Sequence, residues 1–150
     1  MIDQLTAEYE TLSLPRFGEP EALALGQILL HLSDGLPVVI NIRTADRTLF
    51  HAALPGSAPL NDLWARRKSN VALVFQLPSF LVGQRLAGKG SLAQQGLSDA
   101  DYADHGGAVP IKVAGVGVVA CVTISGLPQA EDHALVVRGL QAFQKTLLAE

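Results

Sequence analysis

At 150 residues with a formal net charge of −3, the chain has the size of one domain that buries roughly 70% of its extended-chain surface. It lacks the concentrated basic surface that phosphate backbones require. Apolar residues of the AVILMFWYC set make up 49% and charged residues 17%, yet no run reaches the roughly 18 apolar residues of a membrane-spanning helix. Neither nucleic acid nor a membrane is expected as a partner, and one core over 1–150 is.

The first residues, "MIDQLTAEYE", are acidic where a secretory leader is basic and then apolar, so the expected location is the cytoplasm. Residues 3–12 predict a short helix, broken by "SLPRFG". A second helix is expected from Glu19 through Asp34, with Pro20 in its first turn, Gly35 past its end and an apolar face of Leu23, Ile28, Leu29 and Leu32. "PVVINIRTA" and "TLFHAAL" flank Asp46-Arg47 and predict an antiparallel hairpin. Its first strand alternates Val38, Ile40 and Ile42 with Val39, Asn41 and Arg43. After "PGSAP", the run "LNDLWARRKSNVALVF" returns to helical character with a cap near Asn61-Asp62, and "PSFLVGQRLAGKG" predicts a shorter helix ending at Gly88 or Gly90. "AVPIKVAG" and "VGVVACVTISG" form a second hairpin turning at Gly115 to Gly117. A terminal helix starts near Pro128, with Glu131 and Asp132 in its first turn and a stripe of Val136, Leu140, Phe143 and Leu147.

Two hairpins with amphipathic helices and no βαβ repetition point to an α/β (α+β) domain. The expected architecture is a central four- or five-stranded, mainly antiparallel sheet with helices packed around it, in a single three-layer-like domain.

The chemistry-bearing residues are sparse. Cys121 is the lone cysteine, which excludes an intrachain disulfide, and its strand context reads as a buried, inert thiol. The four histidines, His31, His51, His105 and His133, show no zinc spacing. His105 carries the most weight because Gly106 and Gly107 follow it. Glycines admit positive φ or close backbone approach, which serves either a structural turn or a ligand pocket. Arg66, Arg67 and Lys68 form the one dense basic cluster, read as a solvated helix face with ion-pair partners or as an anion contact. Ser125 and Gly126 precede a helix start whose free N–H groups could hold an anion. The hydroxyl there reads best as a cap, with no nucleophile-elbow motif around it.

Together, "RTLFHAALPGSAPLNDLWARRKSNV" and "DYADHGGAVPIKVAGVGVVACVTISGLPQAEDHALVV" closely resemble the uncharacterised-protein family 0303 of bacteria and fungi. That family looks like a branch of the haem-degrading domain group of HbpS-like and GlcG-like proteins. The resemblance spans residues 15–148. It implies an α/β domain with an antiparallel sheet, assembled into homo-oligomers, and haem as a candidate cofactor. It also implies that Trp64, Arg66, Arg67 and Lys68, the His105-Gly106-Gly107 turn, and Ser125 through His133 occupy characteristic positions. Pro78 stands where relatives often carry the first of two serines, leaving Ser79 alone.

Two functions follow as expectations. The first is an oligomeric protein that binds a small molecule or another protein, supported by the apolar composition and the lack of an acid–base constellation. The alternative is a haem-binding or haem-degrading protein, with His105 as axial metal ligand, Gly106 and Gly107 beside it, and Arg66, Arg67 or Lys68 on the propionates. Hydrolysis through Ser125, His133 and a carboxylate is a third, weaker reading.

Overall fold

A computed structural model describes residues 1–150. The helices are α1 (Ile2–Glu10), α2 (Glu19–Leu32), α3 (Pro59–Phe75), α4 (Ser79–Leu86) and α5 (Gln129–Leu148). The strands are β1 (Val39–Arg43), β2 (Thr48–Ala53), β3 (Ala108–Val113) and β4 (Gly117–Ser125). They form one antiparallel sheet of four strands in the order β2-β1-β4-β3. Both expected hairpins are present, and they join through β1 and β4.

Alternation in the strands creates two different sheet faces. Ile40, Ile42, Val109, Ile111, Val122 and Ile124 point into the main core with α2 and α5. Cys121, Thr123 and Ala108 point the other way, toward Ser69 and Ala72 of α3. The result is three layers, with α2 and α5 on one side and α3 on the other. The terminal stripe Val136, Leu140, Phe143 and Leu147 is buried as the periodicity predicts.

The predicted face of α2 is partly wrong. Leu23 is exposed, and the buried positions are Ala22, Leu25, Gly26 and Leu29. Two of these have almost no side chain, and that is the physical reason for the difference. A Cβ on Gly26 would stand 2.5 Å from the Phe50 ring, and one on Gly139 of α5 would stand 2.3 Å from Leu29. Helix α2 is therefore sorted by how closely it can approach β2 and α5, which a hydrophobic count does not register.

The segment before α2 closes one edge of the sheet. Leu14 makes a parallel bridge to Val113: its N–H donates to the Lys112 carbonyl, and its carbonyl accepts from the Ala114 N–H, each at 2.9 Å. The Tyr9 hydroxyl donates to the Pro110 carbonyl at 3.1 Å on the same edge. Ser79, at the start of α4, holds the front of β3 by accepting from the Ala108 N–H at 3.0 Å. The serine beside Pro78 thus clips a helix to a strand.

Candidate functional site

Residues at i, i+3 and i+7 share one side of a helix, so Asn61, Trp64 and Lys68 project from α3 in the same direction. They meet the end of β4 and the start of α5 at a cleft of about 230 Å³, lined also by His105, Ser125, Gly126, Leu127, Gln129 and Asp132. The Ser125–Asp132 segment and the His105 turn, 20 residues apart in the chain, converge here.

Beneath the cleft lies a buried ion pair. Lys68 Nζ is 2.9 Å from Asp132 Oδ2, and the two side chains are 4% and 1% exposed. Lys68 also donates to the Ile124 carbonyl at 3.2 Å. Asp132 accepts from the Leu127 N–H at 2.9 Å and the Gly126 N–H at 3.3 Å. Burial pulls Lys68 below the ordinary lysine range and pushes Asp132 above the ordinary carboxylate range, while each partner's charge opposes the other's shift. Asp132 therefore does more than favour a helix start. It ties the β4–α5 connection to α3.

The His105-Gly106-Gly107 segment is both a turn and a wall of the site. Gly107 has φ +138°, and a Cβ there would come within 2.4 Å of the Ile124 carbonyl and 2.8 Å of Lys68 Nζ. Only glycine passes so close to the ion pair. The Gly106 N–H donates to Gln129 Oε1 at 2.9 Å, fixing the turn to the first residue of α5. His105 is left at the mouth, 51% exposed, with Asp104 at 3.8 Å, too far for a hydrogen bond. Its ring stands edge-on to Trp64 with centroids 5.1 Å apart.

The basic cluster divides. Successive helical residues point about 100° apart, so Lys68 enters the cleft while Arg66 and Arg67 grip the loop that leads to His105. Arg66 bonds Asp101 Oδ1 at 2.8 Å and the Ala100 carbonyl at 3.3 Å, and Arg67 Nε bonds the Asp99 carbonyl at 2.7 Å. The Arg67 guanidinium also lies over the Trp64 ring, 4.6 Å from its centroid. Of the predicted site residues, Lys68 and His105 line the cleft and Gly106 and Gly107 support it. Arg66 and Arg67 act on the neighbouring loop.

Asn61 and Gln129 were not singled out from the sequence as site residues. Asn61 Oδ1 accepts the Ala58 N–H at 2.9 Å at the start of α3, so its position near a helix start was the only available signal. Among the hydrolytic candidates, Ser125 lines the cleft, but His133 lies elsewhere, bonded to Glu8 at 2.7 Å and packed on Phe80. No group of three metal-ligating side chains converges anywhere in the chain.

Comparison with known proteins gives the family context. The family described as haem degrading protein HbpS-like matches residues 17–141. A UPF0303 protein of Streptomyces coelicolor is 47% identical over 146 residues, covering 95% of this chain and 92% of the relative. The crystal structure of the Ybr137w protein superposes with a TM-score of 0.86 at 34% identity, over 96% of this chain and 88% of that one. The PduOC:heme complex shares the fold, with a TM-score of 0.72 at 16% identity over 84% of this chain and 94% of that one.

Haem is the cofactor that the family description implies, and the cleft does not fit it. Pockets for drug-sized ligands hold about 300–1,000 Å³ between mostly apolar walls. This cleft holds about 230 Å³, and two of its nine lining residues are hydrophobic.

Proposed function

The chain belongs to the UPF0303 family within the HbpS-like group, and from that premise we propose that it binds a small polar molecule in the cleft between α3 and the start of α5. One observation carries this reading: a nearly unexposed ion pair, Lys68–Asp132, forms the floor of an open, polar cleft. A buried pair is weak support for stability, since apolar replacements often serve as well. Placed under a ligand site, it supplies a fixed donor at a defined depth. Trp64 and His105 frame the entrance, and Ser125, Asn61 and Gln129 supply neutral polar contacts. The test is a panel of small metabolites followed by amide NMR. At least one should shift Gly106, Gly126 and Leu127 saturably; a panel that moves only scattered surface amides would overturn the reading.

Haem is the second reading, on one observation. The His105 imidazole is half-exposed at the cleft mouth and makes no hydrogen bond, so it is open to a ligand outside the cleft. A haem held there would lie across the surface of the chain. Haemin titration of the wild type and His105→Ala separates the two: a saturable Soret shift lost in a folded variant supports surface ligation, and identical spectra remove His105 from that role.

Assembly into a homo-oligomer is part of the same proposal. Leu60 and Leu63 are exposed on adjacent turns of α3, an apolar step beside the cleft that a second copy would cover. Light scattering should report an oligomer for the wild type and a smaller particle for Leu60→Glu/Leu63→Glu. A monomeric wild type would overturn this part.

A further inference from the structure

The hydrogen-bonding inventory of the cleft is one-sided. Asn61 Oδ1 is already occupied by the Ala58 N–H and Gln129 Oε1 by the Gly106 N–H, so both amides are left with their NH2 groups to offer. Asp132 accepts from Lys68, Gly126 and Leu127 through its two oxygens, and its side chain is 1% exposed. Lys68 has three N–H groups, of which two are engaged, on Asp132 and Ile124. The Trp64 indole N–H bonds to nothing in the chain. Ser125, 2% exposed and lining the cleft, has a hydroxyl without a partner. The free acceptors that remain are the Ser125 hydroxyl oxygen and a ring nitrogen of His105 at the mouth, and the free donors outnumber them.

We infer that the ligand is a small carboxylate with a single negative charge, its oxygens accepting from Lys68, Asn61, Gln129 and Ser125. This inference rests on the small-ligand reading above and names the ligand class. A neutral or cationic ligand rich in donors would face Lys68, two NH2 groups and an indole N–H, with only Ser125 and His105 to receive its own donors. The charge balance separates a carboxylate from a phosphate. Lys68 and Asp132 cancel, and Glu131 in the first turn of α5 offsets the positive end of that helix, equivalent to about half a charge, so the cleft offers mainly neutral donors. That field suits one negative charge spread over two oxygens, whereas a phosphate monoester carries nearly two. Volume sets the size: at about 30 Å³ per water-sized unit, 230 Å³ admits a short acid. Leu127 and the Trp64 ring offer it a small apolar wall.

Trp64 is the only tryptophan in the chain, so its emission reports on the cleft alone. The experiment compares butyrate, butyramide, butylammonium and inorganic phosphate, up to tens of millimolar, on the wild type and on Asn61→Asp and Gln129→Glu. Each substitution keeps the oxygen that accepts from the backbone and exchanges the offered NH2 for a negative charge. Unchanged thermal midpoints would establish that both variants fold. The expected result is a saturable change with butyrate, weakened at least tenfold in each variant, with little response to the other three. Butyrate binding that the variants leave intact would overturn the inference. So would binding of butyramide, butylammonium or phosphate in place of butyrate, which would leave the cleft reading standing. Silence from all four probes in Trp64 emission and in the Gly126 and Leu127 amide signals would remove both readings.

Discussion

Cys121 lies at the centre of β4 with no exposed surface, and burial pushes its thiol up to about 12. The folded state therefore keeps the proton at pH values where the unfolded chain, with an ordinary thiol near 9, releases it. Stability linked to this group is complete below pH 9 and is lost as the pH rises toward 12, at a slope of at most about 1.4 kcal/mol per pH unit. Urea midpoints measured across that window should fall more steeply for the wild type than for Cys121→Ala. At pH 8 the native thiol should resist iodoacetamide and react only on unfolding. Lys68 is the second sensitive residue. Lys68→Met leaves the nearly unexposed Asp132 without its counter-ion, so the carboxyl must stay charged in a dry site or take up a proton, and a loss of about 3–5 kcal/mol is expected in urea unfolding. A loss below about 1 kcal/mol would mean that water reaches the carboxylate.

Helix α3 lines the candidate cleft, and it shows why that cleft was only half legible in the sequence. The Arg66-Arg67-Lys68 run looks like one basic feature, but the helical turn sends its members to different places. Two hold the 99–101 backbone and one goes beneath the cleft. The hairpins were legible because period-two alternation in residues 38–43 and the glycines at 115 and 117 state them locally. The terminal stripe was legible for the same reason at helical period. The Lys68–Asp132 pair was not, because its partners are 64 positions apart and each has an ordinary local explanation. His105-Gly106-Gly107 left turn and pocket open, and the closeness of Gly107 to the ion pair could not be read from those three residues. The two arginines predict a separable effect. Arg66→Ala/Arg67→Ala should speed hydrogen exchange at the Ala103 N–H, which bonds the Arg67 carbonyl, and should cost about 1 kcal/mol or less because the Arg66–Asp101 pair is exposed. Unchanged exchange there would mean that Trp64 and Asn70, which bonds the Asp101 carbonyl, hold the loop unaided.

At the scale of the molecule, three layers were expected and three are present, and the cleft lies where the β4–α5 connection crosses from sheet to helix. That placement leaves the main core, between the sheet and α2 and α5, outside the cleft except where Leu127 packs against it. His105→Ala should therefore change ligand response without moving the unfolding midpoint, whereas Gly126, whose added Cβ would stand 2.4 Å from the Pro37 carbonyl, should not tolerate a side chain. The sheet also has two unlike ends. At β3 the backbone is met by Leu14, whereas β2 is the terminal strand at the opposite edge and has no such cover. In polymer terms the folded chain is monofunctional: a strand can add at one end only, so edge-to-edge pairing stops at two copies. Leu14→Pro combined with Tyr9→Phe removes the donors to Lys112 and Pro110 and makes the unit bifunctional. Such a variant should form open-ended aggregates under conditions in which the wild type stays at a finite size, and light scattering over time distinguishes the two. The Leu14 bridge, with Tyr9 and Ser79 bonded to the same strand, thus works as a chain stopper.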